Sequence, residues 1–172
     1  MFHVIYYFQV IRIYIKREAP ISWPCKNYAI EPMKTFLDGQ YSIPNYQREY
    51  SWEENEIQDF LNDLEDTCAN PSTIHFFGQI VVHNDEDSQT KFIIDGQQRL
   101  TTLALLGYLN SELDDVSLTY QASLSIQHIK QNLQYLEKVR SKWEDYINFE
   151  NIVVSLVVTE SEDDAYKFFE TQ

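Results

Sequence analysis

Phe92-Ile93-Ile94 runs into Asp95-Gly96-Gln97-Gln98-Arg99, which runs into Leu100-Thr101-Thr102-Leu103-Ala104-Leu105-Leu106. An apolar strand therefore meets a glycine turn, and a helix opens at once with an arginine in its first turn. The first backbone N–H groups of a helix have no intrahelical acceptor and sit at the positive end of its dipole. Gly96 removes the side chain that would block close approach, and Arg99 adds a planar donor fork suited to phosphate oxygens. This is the chemistry of an anion site, most economically for a nucleotide phosphate. Asp95 followed by Gln98 also fits a capping box, which would do no more than start the helix. Capping accounts for Asp95, Gly96 and Gln98, but asks for neither Gln97 nor Arg99.

A second cluster lies upstream, Ile43-Pro44-Asn45-Tyr46-Gln47-Arg48-Glu49-Tyr50-Ser51-Trp52, and between the two stands Phe76-Phe77-Gly78-Gln79-Ile80-Val81-Val82. In this order the three segments resemble the N-terminal domain family of GmrSD-type modification-dependent restriction endonucleases, a relative of the ParB/sulfiredoxin-type fold. The resemblance covers roughly Met33 to Gln172, and two long motifs in order make chance agreement improbable. It implies a nucleoside-triphosphate-binding and hydrolysing regulatory domain of a DNA-targeting, phage-defence protein. Mg²⁺ is implied as its companion. The residue pattern by itself establishes only an anion-ready turn.

Composition sets outer bounds. A chain of 172 residues suits one domain, or one domain with an appendage. With 15% aromatic residues it is a globular sequence rather than a disordered one. A formal net charge of −14 repels duplex phosphate and argues against a broad DNA clamp. A small pocket with local positive charge from Arg48, Arg99 and Lys91 is compatible with it. Two cysteines, Cys25 and Cys68, can form one bridge at most. Free thiols in a reducing cytoplasm are the expectation.

Met1 to Ile15 is rich in Ile, Val, Tyr and Phe but interrupted by His3, Gln9 and Arg12. It is too short to span a bilayer as a helix. Its positive charges, Lys16 and Arg17, follow the apolar stretch, opposite to a secretory signal. Ile11, Ile13 and Ile15 favour a strand. Residues 1–30 are thus an N-terminal extension, as an added strand or an upstream stretch of reading frame, and 31–172 form the domain.

From Met33 onward the pattern is α+β. A short helix over Met33–Leu37 closes at Asp38-Gly39, and Tyr41–Ile43 is extended. Ser51 with Glu54 makes a capping box for a helix that buries Ile57, Phe60, Leu61 and Leu64. Glu53, Glu54, Glu56, Asp59, Asp63, Glu65 and Asp66 form its solvated face. Strands over Gly78–His83 and Lys91–Ile94 make a hairpin about the turn Asn84–Thr90. The Leu100 helix runs to about Asn110, and a longer helical stretch over Gln121–Ile147 carries Ile129, Leu133, Leu136, Trp143 and Ile147 as packing positions. Ile152–Val158 is a strand, and Ser161 caps a last helix with Ala165, Tyr166, Phe168 and Phe169. The expected fold is a small mixed ParB/sulfiredoxin-like sheet with packed helices and a following helical segment. In the resembled family an Asn-x-Arg-Gly element, a helical region and often a His-Asn-His-type nuclease come after the last stretch. The sequence is accordingly expected to be a partial domain, with DNA cleavage lying outside it.

His3, His75, His83 and His128 are scattered without metal-ligand spacing, and no metal site of protein ligands alone is expected. The expected nucleotide-binding residues are Tyr46, Gln47, Arg48, Gly96 and Arg99. Asp95, Gln97, Gln98 and Arg99 are the candidates for catalysis. Arg99 and the N–H groups after Gly96 hold phosphate in this reading, Arg48 is a second phosphate ligand, and Gln47 orients a water or a phosphate oxygen. Gln97 and Gln98 offer amides to the nucleotide or an attacking water. Asp95 either caps the helix, the favoured role, or positions hydrated Mg²⁺. Tyr46, Tyr50 and Trp52 are candidates to stack on a base, with core packing preferred for Trp52. Two other functions stay open: a DNA or modified-base binding module, and a ParB-like nuclease. The expected partners are a nucleotide, DNA through the full-length protein, the nuclease region and a homo-oligomer, with no membrane.

Overall fold

The computed structural model describes residues 27–37, 39–44, 46–68, 74–110, 118–120, 123–161, 163, 164 and 167. Asn27–Pro32 (β1), Tyr41–Ser42 (β2), His75–Asp85 (β3), Thr90–Asp95 (β4), Leu118–Thr119 (β5) and Ile152–Thr159 (β6) form one sheet in the order β1-β6-β3-β4-β2-β5. It is mixed: β1–β6 and β3–β4 are antiparallel, whereas β6–β3, β4–β2 and β2–β5 are parallel. Among the described residues the α-helices Met33–Leu37 (α1), Glu54–Cys68 (α2), Gln97–Leu109 (α3) and Ser123–Lys138 (α4) accompany it. The α+β class holds.

Strand alternation sorts the sheet into two faces. Ile80, Val82, Ile93, Ile152 and Val154 join the core built with α2, α3 and α4, while Val81, Ile94 and Val157 form a smaller cluster. Both clusters are buried, so the central strands are covered on each side. Helix α3 is the most enclosed, with an unbroken buried run from Leu100 to Gly107. Its apolar residues therefore show no amphipathic stripe.

Several sequence expectations hold. Met33–Leu37 is a helix, and Ile57, Phe60, Leu61 and Leu64 are the buried face of α2. Other boundaries move for identifiable reasons. The hairpin strands are longer than expected and the turn shrinks to residues 86–89. Asp85 closes it by accepting from Asp87 N, Ser88 N and Ser88 Oγ, and Gln89 takes φ 56°. The Ser51/Glu54 capping box does not form. Helix α2 opens after Glu53, whose N–H donates to Glu56 Oε2 at 2.9 Å, while Ser51 N is engaged elsewhere. The long helix expected to reach Ile147 stops at Lys138, where Trp143 folds back and its indole N–H donates to the Leu136 carbonyl. Leu136, Trp143 and Ile147 are nevertheless all core, as their spacing suggested.

Gly39 follows α1 without a positive φ; a β-carbon there would collide with the Tyr41 ring, which stacks on Phe36. Asn27–Pro32, partly inside the expected extension, is an edge strand of the sheet itself, paired from Asn27↔Val158 to Pro32↔Val153. The strand expected over Met1–Ile15, both cysteine thiols and the aromatic residues of the expected last helix lie outside the described residues and side chains. Asp164 N does meet Ser161 Oγ, at 3.4 Å.

Candidate functional site

Two ladder irregularities shape the place where the motifs meet. In β3, pairing to β6 shifts between Phe76 and Gln79, so Phe77 and Gly78 stand against one residue of the partner strand. A bulge of this kind bends the strand, and Gly78 supplies the φ of +109°. In β4 the pairing shifts so that Val81 faces Asp95 and Val82 faces Ile93, leaving Ile94 with no residue opposite. The Ile94 carbonyl accepts the Gln47 side-chain amide.

That bond is one of four that lock the upstream motif onto the strand–helix junction. Gln97 Nε2 donates to the Arg48 carbonyl, Gln98 Nε2 donates to the Glu49 carbonyl at 2.8 Å, and Gln98 Oε1 accepts Ser51 N at 3.0 Å. An amide side chain is suited to this because it carries both donors and an acceptor, and so can pair with an extended backbone as a neighbouring strand would. The two segments, about fifty residues apart in sequence, thus meet at one place, with Tyr46–Arg48 beside the opening of α3.

Gly96 is the N-cap residue of α3, at φ +88°, and no side chain caps the helix. The capping role favoured for Asp95 is therefore corrected. Helix α3 starts one residue later than a capping box requires, Asp95 belongs to the β ladder opposite Val81, and the Gln98 side chain is spent on Glu49 and Ser51. Gly96 is needed for a second reason: a β-carbon there would come within 3.0 Å of the Gln79 carbonyl oxygen. The close approach that it permits is to β3.

Arg99 points back across the bulge. Its Nη1 donates to the Phe77 carbonyl at 2.8 Å, Nη2 reaches the Gln79 carbonyl at 3.4 Å, and the guanidinium lies 5.6 Å from the Phe77 ring centroid. It is half-buried and bonded to two carbonyls of β3, a structural engagement that the sequence did not announce. Arg48 is exposed. Gln97 is 5% exposed, and its Oε1 has no hydrogen-bond partner among the described residues.

Behind the junction lies a buried polar layer that the sequence did not announce. Tyr50 is fully buried; its hydroxyl bonds Thr102 Oγ1 at 2.8 Å and accepts Asn132 Nδ2 at 3.1 Å. Its N–H donates to Ser125 Oγ, and its carbonyl pairs with His128 Nδ1 at 2.8 Å. Thr101 Oγ1 bonds Tyr120 Oη at 2.7 Å. Burial pushes both tyrosine hydroxyls above the ordinary phenolic range, so they act as neutral hydrogen-bonding groups. Tyr50 is consequently removed from the candidates for base stacking. Trp52 packs on Phe60 at 5.5 Å between centroids, as core packing requires, and Tyr46 alone of the three is strongly exposed, at 48%. Only the spacing of Ser125, His128 and Asn132 on one face of α4 hinted at this layer.

Among the described residues no group of three His, Cys, Asp or Glu is placed to hold a metal. No helix among them is long and apolar enough to cross a membrane.

The fold and site thus define an α+β domain in which a strand–glycine–helix junction is clamped to an upstream aromatic motif by glutamine side chains. The profile of the family described as GmrSD restriction endonuclease, N-terminal domain, matches residues 33–172, and the chain belongs to that family. No curated protein gives a significant match.

Proposed function

We propose that this chain is the nucleoside-triphosphate-binding and hydrolysing regulatory domain of a modification-dependent restriction protein, with the phosphates held where α3 opens beside Arg48. The observation that carries the reading is the uncapped start of α3. Its first N–H groups lack intrahelical acceptors by construction, and Gly96 offers no side chain to satisfy them. An anion is a natural partner there.

The residues present fit a polyphosphate. Arg48 is exposed while its own carbonyl is fixed by Gln97, so its charge can reach across a held backbone. Arg99 uses two of its nitrogens on β3, and its remaining N–H groups stay available in a guanidinium of five donors. Bound Mg²⁺ would neutralise phosphate charge, and one or two carboxylates suffice for it when phosphates supply other ligands; Asp95 is the carboxylate at the junction. Where no side chain is a general base, positioning and electrostatics carry hydrolysis.

The acidity of the whole chain counts against a direct role in gripping DNA, so DNA enters through other parts of the restriction protein. Titrating the full chain with nucleoside triphosphates, with and without Mg²⁺ and DNA, tests the reading. Saturable, Mg²⁺-sensitive binding supports it, and absence of binding in every condition refutes it.

A further inference from the structure

A row of residues crosses the sheet edge next to the upstream motif. Phe92 on β4 stands opposite Ser42 on β2, and Ser42 stands opposite Thr119 on β5. Residues facing one another on adjacent strands share a sheet face, and so do residues two apart along a strand, which adds Thr90. With Pro44 and Tyr46 these residues surround a cavity of about 500 Å³. Its lining has two aromatic rings, Tyr46 and Phe92, and four hydroxyls, those of Ser42, Thr90, Thr119 and Tyr46 itself, and no charged side chain. Such a lining offers no cation to pair with a phosphate. It suits a flat, uncharged ring with hydrogen-bonding groups on its edge, because aromatic faces stack on any π system and hydroxyls can donate or accept.

The cavity's position gives that ring an identity. Tyr46 lines it, Gln47 is bonded to the Ile94 carbonyl, and the Arg48 carbonyl is held by Gln97 at the opening of α3. From Tyr46 to Arg48 the chain spans at most about 7 Å, so a wall of the cavity and the arginine at the α3 opening belong to one short segment.

We propose that this cavity seats the base of the nucleotide whose phosphates lie at the α3 opening, with Tyr46 as the stacking platform and Ser42, Thr90 and Thr119 at the base's edge. The inference rests on the nucleotide reading above and adds the part of the ligand that the phosphate site leaves unspecified.

Calorimetric titration of the full chain with ATP, GTP, CTP, UTP and inorganic tripolyphosphate separates the two. The parent should bind at least one nucleotide about tenfold or more tightly than tripolyphosphate. Tyr46→Ala should weaken that nucleotide by about ten- to hundredfold and leave tripolyphosphate affinity unchanged. Thr119→Val, which keeps shape at an exposed edge position, should alter the ranking of the four bases without altering tripolyphosphate. Equal affinity of the parent for nucleotides and tripolyphosphate would overturn the base seat while leaving the phosphate site standing. So would variants that weaken both ligands alike, or that leave nucleotide binding unchanged. A parent that binds neither ligand would refute the phosphate site, and the base seat with it.

Discussion

The guanidinium of Arg99 fills the space that a β-carbon on Gly78 would need. Gly78 sits in the β3 bulge at φ +109°, and Arg99 reaches from the first turn of α3 to the carbonyls on either side of it. Each residue makes the other's position workable: the bulge turns two carbonyls toward the arginine, and the missing side chain lets the arginine in. Gly78→Ala should therefore cost about 2–4 kcal/mol, combining left-handed strain with displacement of charged hydrogen bonds. Arg99→Ala should cost about 1.5–3 kcal/mol. Since both changes break the same contact, the double variant should be clearly less destabilised than the sum. Denaturant titration of the four proteins measures this, and simple additivity would show the two residues to be independent.

Gln98 carries a different load. It closes two backbone bonds to the upstream motif, one through each side-chain atom, while being 4% exposed. Gln98→Leu keeps the volume but orphans Glu49 O and Ser51 N, which should cost about 2–4 kcal/mol. The loss should be local as well as global. Amide exchange at Ser51 should accelerate more than exchange in the β3–β6 ladder, and uniform acceleration would contradict the clamp.

Burial lowers the affinity of His75 for its proton below that of an ordinary histidine, the charge of Asp63 opposing the shift only in part. A base whose folded pKa is depressed binds more protons when unfolded. Its contribution to stability is therefore whole above the unfolded pKa of about 6.5 and is lost as pH falls through the lower folded value. Melting temperature should fall as the pH is taken below about 6.5, and His75→Gln should flatten the slope in that window. An unchanged slope in the variant would place the titrating group elsewhere.

What could be read in the sequence, and what could not, divides along the range of the interactions. Met33–Leu37 and the buried face of α2 are written in local periodicity, and the strand–glycine–helix junction in a run of consecutive residues. Helix starts were read less well. Asp95 and Ser51 carry good capping chemistry, but tertiary partners outbid local capping: Asp95 is held in the ladder and Ser51 N by Gln98. The ladder bulges at Phe77–Gly78 and at Ile94 depend on the register of β3 against β6 and β4, which no single segment encodes. The second role of Arg99 depends on the first of those bulges and was hidden with it. Tyr50 looked like Tyr46 in sequence, and only the arrival of Thr102 and Asn132 tells a buried phenol from an exposed ring.

Arg48 is the residue on which the phosphate reading can be tested with least structural interference. Its side chain is exposed, and its backbone is held through its carbonyl by Gln97, a bond that survives truncation of the side chain. Arg48→Ala should thus melt within about 0.5 kcal/mol of the parent, as surface substitutions usually do. In the nucleotide reading it loses a charge-assisted contact of about 1.5–3 kcal/mol, roughly ten- to hundredfold in affinity. Arg48→Lys should recover part of this, because the charge returns without the planar fork. Arg99→Ala is the comparison that gives the result its meaning, since it should lose stability and binding together. Titration calorimetry and thermal melts on the three variants settle the matter: Arg48→Ala binding triphosphate as tightly as the parent would remove Arg48 from the site.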